Sequence, residues 1–213
     1  LPRLPDRAPP MTAAEFEKSI DVSRETLSRL QEYGELLGKW NTRINLVGRE
    51  SLNDLWRRHM LDSVQLAAWD RDNKDAGPWV DLGSGAGFPG LVLAIAGIRD
   101  VHLVESDSRK CAFLREAAIL TNTEVTIHNA RIETLEPLAG RVVSARALAP
   151  LVKLLPLAYR HLEDCGQMLF LKGQDIDTEL TEATKYWKMT PRYSPSLSDK
   201  SGSILQLTEI ARV

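Results

Sequence analysis

The sequence predicts an α/β fold with a mostly parallel sheet, an N-terminal helical cap and a C-terminal antiparallel hairpin. Three observations support this prediction. From Trp79 onward, short apolar and β-branched runs alternate with helical stretches, as in a parallel sheet covered by helices on both faces. Before Asp70, apolar residues recur at steps of three and four, which indicates helices. After Lys188, two strand-like runs follow one another with no helix between them.

The composition is that of an ordinary globular domain. The chain has 213 residues, 43% hydrophobic and 26% charged, and is long enough to bury a core without disulfides. It contains neither an apolar run of about 18 residues nor the apolar core of a signal peptide. Cys111 and Cys165 match no metal-binding spacing, so we expect no metal and a reducing, cytoplasmic location. The net charge of −2 does not by itself indicate a nucleic-acid binder.

The chain divides into three predicted segments. Residues 1–10 are rich in proline and are expected to form a flexible leader, with Met11 as a candidate native start. Residues 11–70 are predicted to form the helical cap. Residues 71–213 are predicted to form the α/β domain, after a polar linker over 70–78.

Local start signals predict the helices of the cap. Thr12 and Glu15 have the spacing of a capping box. Ser23 precedes a helix of about 17 residues. The apolar face of that helix consists of Leu27, Leu30, Tyr33, Leu37 and Trp40. Ser51 and Asp54 predict the cap of a third helix, which runs to residue 67.

The α/β part is predicted to contain seven strands. They lie at 79–82, 101–105, 124–128, 142–144, 168–171, 188–193 and 203–209. The helices between the first six of them are predicted at 90–96, 109–120, 151–161 and 177–185.

The most informative stretch joins a strand to a helix through a glycine-rich turn. It runs Asp81-Leu-Gly-Ser-Gly-Ala-Gly-Phe-Pro-Gly90. Gly83, Gly85 and Gly87 allow a tight turn and let a ligand approach the main chain. In an open α/β sheet such a turn lies beyond the carboxyl ends of the strands, where ligands bind. The next strand ends at Glu105, which is placed to bind the hydroxyl groups of a ribose.

Two cofactors compete for this turn. The stretch from Gly85 to Gly90 matches the dinucleotide fingerprint, and Glu105 stands 20 residues after Gly85, as the ribose-binding acid of an NAD site does. The turn begins earlier, however, at Gly83, and it is preceded by Asp81, whose carboxylate suits a cationic ligand held directly or through water. S-adenosylmethionine carries an ammonium and a sulfonium, whereas NAD carries a pyrophosphate. The sequence therefore favours S-adenosylmethionine.

Polar residues also follow three further strands, at the edge of the sheet where the ligand lies. In the stretch 129–133, backbone groups are placed to read an adenine edge, and Ile132 is placed to pack on the base beside Glu133. Arg146 follows the fourth strand and Lys172 the fifth, so both are candidates to reach cofactor or substrate. We expect Arg146 to contact the cofactor and Lys172 to contact the RNA.

Two local basic segments offer contacts to RNA phosphates despite the acidic total. One includes Arg57, Arg58 and His59, and the other, which contains no acid between residues 139 and 160, includes Arg141 and Lys153. The alternative is that both segments are solvated faces and that His59 is structural.

These residues together resemble the RsmG (GidB) family of bacterial small-subunit ribosomal RNA guanine-N7 methyltransferases. The matching motifs are Trp40-Asn-x-x-Ile-Asn-Leu-Val47, Arg58-His-x-Leu-Asp-Ser63, the glycine turn with its Phe-Pro-Gly tail, Glu105-Ser106, Arg131-x-Glu133, Ser144-x-Arg146-Ala147 and Leu171-Lys-Gly173. They extend over residues 40–173. The Asp-x-Gly-x-Gly core is generic to methyltransferases, whereas the Phe-Pro-Gly tail and the Arg-His and Ser-x-Arg motifs are much more specific.

The resemblance implies a Rossmann-like, seven-stranded S-adenosylmethionine-dependent methyltransferase fold. It also implies methylation of N7 of a guanine in the decoding-region loop of 16S rRNA. The cofactor-contact positions that it implies are Gly83, Phe88, Ile132, Glu133 and Arg146. Guanine N7 has a lone pair and no proton, so we expect alignment to drive the transfer without a catalytic base, with Arg146 as a candidate to assist.

Three alternatives stay open at this point. They are a methyltransferase for another RNA position or a small molecule, an NAD-dependent dehydrogenase, and a cofactor-binding assembly factor without turnover. The expected partner is 16S rRNA or a precursor of the small ribosomal subunit, with no membrane association, and we expect the chain to act as a monomer.

Overall fold

The computed structural model describes residues 8–70 and 77–213. Within them, one seven-stranded sheet has the strand order β3-β2-β1-β4-β5-β7-β6. Its strands are β1 (Trp79–Leu82), β2 (Val101–Glu105), β3 (Thr126–Asn129), β4 (Gly140–Arg146), β5 (Leu162–Lys172), β6 (Trp187–Pro195) and β7 (Ser203–Arg212). Strands β1 to β5 are parallel, and β7 pairs antiparallel with both β5 and β6. The predicted α/β fold with its antiparallel hairpin is confirmed.

Helices cover the sheet and precede it. In the described part of the chain the α-helices are α1 (Ala13–Ser19), α2 (Arg24–Asn41), α3 (Arg49–Asn53), α4 (Asp62–Val64), α5 (Gly90–Ile95), α6 (Ser108–Leu120), α7 (Leu151–Arg160) and α8 (Ile176–Ala183). A π-helical segment (Trp56–Leu61) lies between α3 and α4, and a 3-10 segment (Gln65–Asp70) follows α4. None of the helices described here combines the length and the apolar character needed to cross a bilayer.

The first two helix starts are confirmed, and the third is corrected. Thr12 and Glu15 form the reciprocal hydrogen bonds of a capping box, and the Ser23 side chain accepts from the Thr26 amide at 3.0 Å. Helix α3 begins at Arg49, after Gly48. Ser51 lies inside it, because its hydroxyl donates to the Gly48 carbonyl at 2.9 Å instead of accepting an amide hydrogen.

The helical cap shares a core with the sheet. Phe16 and Leu37 from the cap are fully buried in the same cluster as Leu91 and Phe113 from the α/β part. Full burial of a side chain of this size contributes about 1.5–3 kcal/mol. The predicted linker lies mostly outside the described residues, as does most of the leader, so the domain division stays a prediction. At the end of the leader, the Pro9 carbonyl accepts from the Arg57 side chain at 2.7 Å.

Four strands, β4 to β7, are longer than their sequence pattern predicts, and the extensions of β4 and β5 change the description of the site. β4 extends to Arg146, which therefore ends the strand instead of following it. β5 begins at Leu162, although its first residues are polar, and its pairing with β4 shifts register between Gly140 and Val142. Asp164 and Cys165 in this stretch are exposed, so their polarity costs nothing there and hides the strand from a hydrophobicity pattern.

Candidate active site

The candidate site lies at the carboxyl edge of the sheet, where the strand order reverses. β1 pairs in parallel with β2 on one side and with β4 on the other. The chain leaves β1 through the glycine turn and leaves β4 after Arg146, so these two segments flank the crevice between the halves of the sheet. Ligands of open α/β sheets bind at such a point.

Asp81 is fully buried behind the glycine turn. Its Oδ1 accepts from the Ser144 hydroxyl at 2.8 Å, and its Oδ2 accepts from the Gly90 amide at 3.1 Å. Burial raises the pKa of Asp81 to about 6, against the opposing effect of hydrogen bonds from Ser144, Ser84 and Gly90. Asp81 is thus an enclosed anchor that ties β1 to β4 and to the start of α5. Its burial speaks against the direct half of the expected contact with a cationic ligand, and contact through water stays a prediction.

The glycines of the turn have different functions. A Cβ atom at Gly87 would lie 2.8 Å from the Cβ atom of Leu91, so packing requires this glycine. One at Gly83 would lie 2.7 Å from the flexible end of the Leu148 side chain, which can move, and there the φ of +67° is what favours glycine. A Cβ atom at Gly85 would meet only the Gly83 carbonyl, at 3.8 Å. Gly85 has a φ of +58°, and its missing side chain leaves one side of the turn open to a ligand.

Glu105 closes the other side of this open turn. It is 8% exposed; its Oε2 accepts from the Gly85 amide at 2.9 Å and its Oε1 from the Asp107 amide at 2.7 Å. Each carboxylate oxygen has a second lone pair, so both remain able to accept from ribose hydroxyls. An open glycine turn bordered by a strand-end carboxylate fits the adenosine part of a nucleoside cofactor.

The end of β3 and the segment after it are hydrogen-bonded to Glu105, the last residue of β2. The Asn129 side-chain amide donates to the Glu105 carbonyl at 3.2 Å, and the Ala130 amide donates to it at 3.1 Å. Ile132 is half-buried and Glu133 is exposed just beyond. The structure thus brings the predicted adenine-reading segment beside Glu105.

Tyr33, on α2, holds the glycine turn through its hydroxyl group. Its buried hydroxyl donates to the Ala86 carbonyl, inside the glycine turn. Its ring lies 5.5 Å from that of Phe88 and 6.1 Å from that of Phe113, and burial raises the pKa of the hydroxyl. The sequence placed Tyr33 on the apolar face of α2, but helical periodicity gives no signal that the hydroxyl holds a turn 53 residues away.

Phe88, His59 and Arg146 form a stacked group where the turn meets the cap. The His59 ring lies 4.6 Å from the Phe88 ring at an interplanar angle of 26°, and the Arg146 guanidinium lies 4.9 Å from the same ring. Arg146 donates to the Arg58 carbonyl at 3.1 Å and contacts the Asp62 carboxylate at 3.5 Å. Arg146 therefore joins β4, the glycine turn and the cap.

A cavity of about 410 Å³ opens beside this group. Its floor is made by the ends of β4 and β5, including Ala147 and Lys172, and one wall is the π-helical segment with Arg58 and His59. The serine-rich loop 196–202 between the hairpin strands makes another wall, together with Ser203 at the start of β7. The volume lies within the range of about 300–1,000 Å³ that small-ligand pockets occupy.

The predicted RNA-binding residues lie in different surroundings. Arg58 is 50% exposed and pairs with Asp199 at 2.9 Å, whereas Arg57 pairs with Asp54 at 3.1 Å. The Lys172 side chain is only 10% exposed, and its ammonium is held by Glu179 at 2.7 Å. It is therefore a poor candidate for contact with the RNA backbone.

Arg141 and Lys153 do not form the single basic patch that their shared segment predicts. Arg141 stands near the start of β4, roughly 16 Å along the strand from Arg146 at strand spacing. Lys153 is exposed in the first turn of α7, after β4 has ended. The length of β4 separates the two residues. Arg141 therefore lies toward the amino ends of the parallel strands, and Lys153 lies toward their carboxyl ends.

Comparisons with known proteins agree with this geometry. A family model described as "rRNA small subunit methyltransferase G" (GidB) matches residues 26–205. A ribosomal RNA small subunit methyltransferase G from Paramagnetospirillum magneticum is 58% identical over 191 residues, which are 90% of this chain and 92% of that protein. The protein of the same name from Rhodospirillum centenum is 52% identical over 98% of this chain and 95% of its own length.

Solved structures with little sequence similarity share the fold. Magnesium protoporphyrin IX methyltransferase from Synechocystis, with bound SAM, has a TM-score of 0.58 at 15% identity and covers 88% of this chain and 97% of its own. TYW2 from M. jannaschii, in complex with AdoMet, has a TM-score of 0.56 at 14% identity, covering 81% and 80%.

Proposed function

Because the chain belongs to the rRNA small subunit methyltransferase G family, we propose that it methylates N7 of a guanine in the decoding-region loop of 16S rRNA. Membership makes it an S-adenosylmethionine-dependent rRNA methyltransferase, so the NAD-dependent alternative is set aside. The observation that carries the proposal is the family match over residues 26–205, which includes the glycine turn, Glu105 and Arg146.

The cofactor is proposed to lie along the open side of the glycine turn. Glu105 would hold the ribose hydroxyls, and the backbone around Gly85 would approach the cofactor closely. The other proposed contacts are Gly87 of the glycine turn and the positions that the family resemblance implies, which are Gly83, Phe88, Ile132, Glu133 and Arg146. Asp81 acts through the turn that it anchors and touches no ligand itself.

Methyl transfer to guanine N7 depends on aligning the cofactor with the base more than on proton transfer. When bound, S-adenosylmethionine supplies an electrophilic methyl group carried by a positively charged sulfur. Guanine N7 already presents a lone pair and no proton, so no side chain has to act as a base. The chain's task is to hold two ligands in line in a site from which water is excluded, and the contacts of Arg146 with Phe88, Asp62 and the Arg58 carbonyl fix one wall of that site.

RNA is proposed to approach across the cap and the start of α7. The proposed phosphate contacts are Arg57, Arg58 and Lys153, because Arg58 and Lys153 are exposed and Arg57, next to Arg58 in the sequence, is half-exposed. Their attraction for RNA is local, since the net charge is −2. We propose 16S rRNA or a precursor of the small subunit as substrate, a cytoplasmic location where that RNA is made, and action as a monomer.

Mapping 7-methylguanosine tests the reaction directly. 16S rRNA from cells with and without this protein should differ by one 7-methylguanosine in the decoding-region loop. Unchanged RNA, or methylation of another position, would overturn the proposed substrate.

Charge reversal tests the RNA surface separately. Arg58→Glu should weaken RNA binding and lower the slope of log affinity against log salt by about one phosphate contact. Lys188→Glu, an exposed lysine on β6, is the matched control and should keep the wild-type slope. Equal slopes in all three proteins would remove Arg58 from the RNA surface.

A further inference from the structure

Asp62 belongs to the Arg58-His-x-Leu-Asp-Ser63 motif, and the proposed function gives it no role. It is the first residue of α4, directly after the π-helical segment, and it lines the cavity of about 410 Å³. Its side chain is only 17% exposed. A carboxylate buried to this extent is costly unless it is paired, so its contacts indicate what it does in the fold.

One oxygen of the Asp62 carboxylate holds Arg146. Asp62 Oδ2 lies 3.5 Å from Arg146 Nη1, the same nitrogen that donates to the Arg58 carbonyl at 3.1 Å. In the part of the chain that the structure describes, no other acid forms an ion pair with this guanidinium. Because both contacts use Nη1, they fix one end of the guanidinium plane and leave Nε and Nη2 available to a ligand.

Arg146 depends on this partner because it is mostly buried. Its side chain is 19% exposed. Burial lowers the pKa of Arg146, and of the groups that oppose this effect Asp62 is the strongest. Without Asp62 the guanidinium would be a buried charge with no counterion, and such a charge moves or destabilises the fold. Asp62 therefore holds the guanidinium in its place against Phe88, 4.9 Å from the ring centre.

The other oxygen of the carboxylate is held from the opposite direction along the chain. The Ser198 hydroxyl donates to Asp62 Oδ1 at 2.5 Å, and the Ser196 hydroxyl lies 3.4 Å from it. The Gln65 side-chain amide donates to the same oxygen at 3.3 Å, and the Gln65 carbonyl oxygen accepts from the Leu197 amide at 2.8 Å. A carboxylate held on Oδ1 presents Oδ2 in a defined direction.

We propose that Asp62 is a positioning residue for methyl transfer: its carboxylate, held by the loop 196–202, sets the guanidinium of Arg146 against Phe88 at the end of the cofactor turn. Asp62 acts through Arg146 and not by contact with the reacting atoms. The assignment rests on the proposed function and deepens it, because it names the group that aligns one wall of the site. Where alignment drives the reaction, a displaced Arg146 slows the transfer step itself.

Asp62→Asn separates the two ends of this carboxylate. The asparagine oxygen still accepts from Ser198, whereas an uncharged NH₂ group replaces the oxygen that holds Arg146. The substrate is small ribosomal subunits from cells without this protein, and the measurement is single-turnover methyl transfer at saturating cofactor and subunits. The rate constant should fall roughly 10- to 100-fold, the cost of misplacing a group at a reacting centre. Asp62→Glu keeps the charge but displaces it by one methylene, so its rate should fall less.

Glu179→Gln is the matched control for loss of stability. Glu179 is a 25% exposed acid that holds the mostly buried Lys172 at 2.7 Å. Both Asp62→Asn and Glu179→Gln leave a buried cation without its acid, so both should lower the urea midpoint. Only Asp62→Asn should slow the single-turnover step, because only Asp62 holds Arg146.

The Arg146 side chain provides a readout that does not depend on activity. In protein with isotope-labelled arginine, the Nε–H resonance of Arg146 is assigned by its absence in Arg146→Lys. The ring current of Phe88 shifts this resonance, so it should move in Asp62→Asn, move less in Asp62→Glu and stay unchanged in Glu179→Gln. Transfer by the double variant of Asp62→Asn and Arg146→Lys should be no slower than in the slower single variant, because both changes disturb the same arrangement.

The outcomes distinguish this assignment from the function on which it rests. A wild-type rate in Asp62→Asn, an unmoved Arg146 resonance, or losses that multiply in the double variant would overturn the positioning role while the methyltransferase activity stands. If Asp62→Asn does not fold, a wild-type rate or an unmoved resonance in Asp62→Glu overturns it instead. Wild-type enzyme that makes no 7-methylguanosine would refute the proposed function, and the resonance, recorded without RNA, would still show whether Asp62 holds Arg146.

Discussion

Replacing Asp81 with asparagine tests whether this carboxylate is a buried anchor. The substitution keeps the shape of the side chain and removes its ionisation. In the structure both carboxylate oxygens accept hydrogen bonds inside the protein, from Ser144 and Gly90. If the anchor reading is correct, the charge on Asp81 opposes folding, and its removal changes how stability depends on pH.

The magnitude follows from the raised pKa. The folded-state pKa of Asp81 is about 6, against an ordinary value of 3.8. Because the native state binds this proton more tightly, the stability linked to Asp81 is fully present below pH 3.8 and is lost as the pH rises through 6. A difference of about two pKa units corresponds to about 3 kcal/mol in total, of which about 1 kcal/mol falls between pH 5 and 7.

Urea denaturation of wild type and Asp81→Asn at pH 5, 6 and 7 measures this change. The free energy of unfolding of wild type minus that of the variant should fall by about 1 kcal/mol across the series. The subtraction removes the contribution of His59, whose lowered pKa gives a slope of opposite sign. Asp164→Asn, at an exposed carboxylate, controls for the loss of one surface charge. A flat difference for Asp81→Asn would refute the reasoning.

Three further substitutions test the turn and the residues that hold it. Gly85→Val should abolish S-adenosylhomocysteine binding in calorimetry, because the valine side chain fills the open side of the turn. Gly97→Val, strained at φ +101° but in open space, is the control and should retain binding. Binding by both variants would show that the cofactor lies elsewhere. Arg146→Lys keeps the charge but loses the planar contact with Phe88, so methylation should slow by roughly 1–3 kcal/mol, with Arg146→Ala worse, and equal rates would exclude Arg146 from the site. Tyr33→Phe removes the hydroxyl that holds the turn, so it should lower the free energy of unfolding by about 1 kcal/mol and weaken cofactor binding. An unchanged urea midpoint and an unchanged affinity would mean that the turn keeps its conformation without this hydrogen bond.

Local patterns predicted the sheet and the glycine turn well. The alternation of strands and helices after residue 78 and the spacing of Gly83, Gly85 and Gly87 are local properties, and the turn lies where they indicate. The surroundings of Asp81 could not be predicted in the same way. A carboxylate before a glycine turn looks the same in sequence whether it faces a ligand or the protein interior, and only the positions of Ser144 and Gly90 decide between the two.

The basic segments show a different limit. Arg141 and Lys153 are 12 residues apart in one acid-free stretch, yet β4 carries the chain across the sheet between them. Closeness in sequence predicts a shared patch only on one helix or loop. The predicted strand covered only residues 142–144. A strand that short does not indicate that the two side chains lie toward opposite ends of the parallel strands.

The cavity could not have been predicted from either of its walls alone. In an α-helix of 3.6 residues per turn, Arg58 and Asp62 share a face and His59 points about 100° away from Arg58. The structure has a π-helical segment there instead, a geometry that is rare and often found at functional sites, and all three residues line the cavity. The opposite wall is bound to this segment by the Arg58–Asp199 ion pair and by the Ser198 hydroxyl, which donates to Asp62 at 2.5 Å. These contacts join residues more than 130 positions apart, which hydrophobic periodicity cannot pair. The motif containing His59 therefore identifies the family, whereas the cavity that this motif lines is visible only once the residues from both parts of the chain are in place.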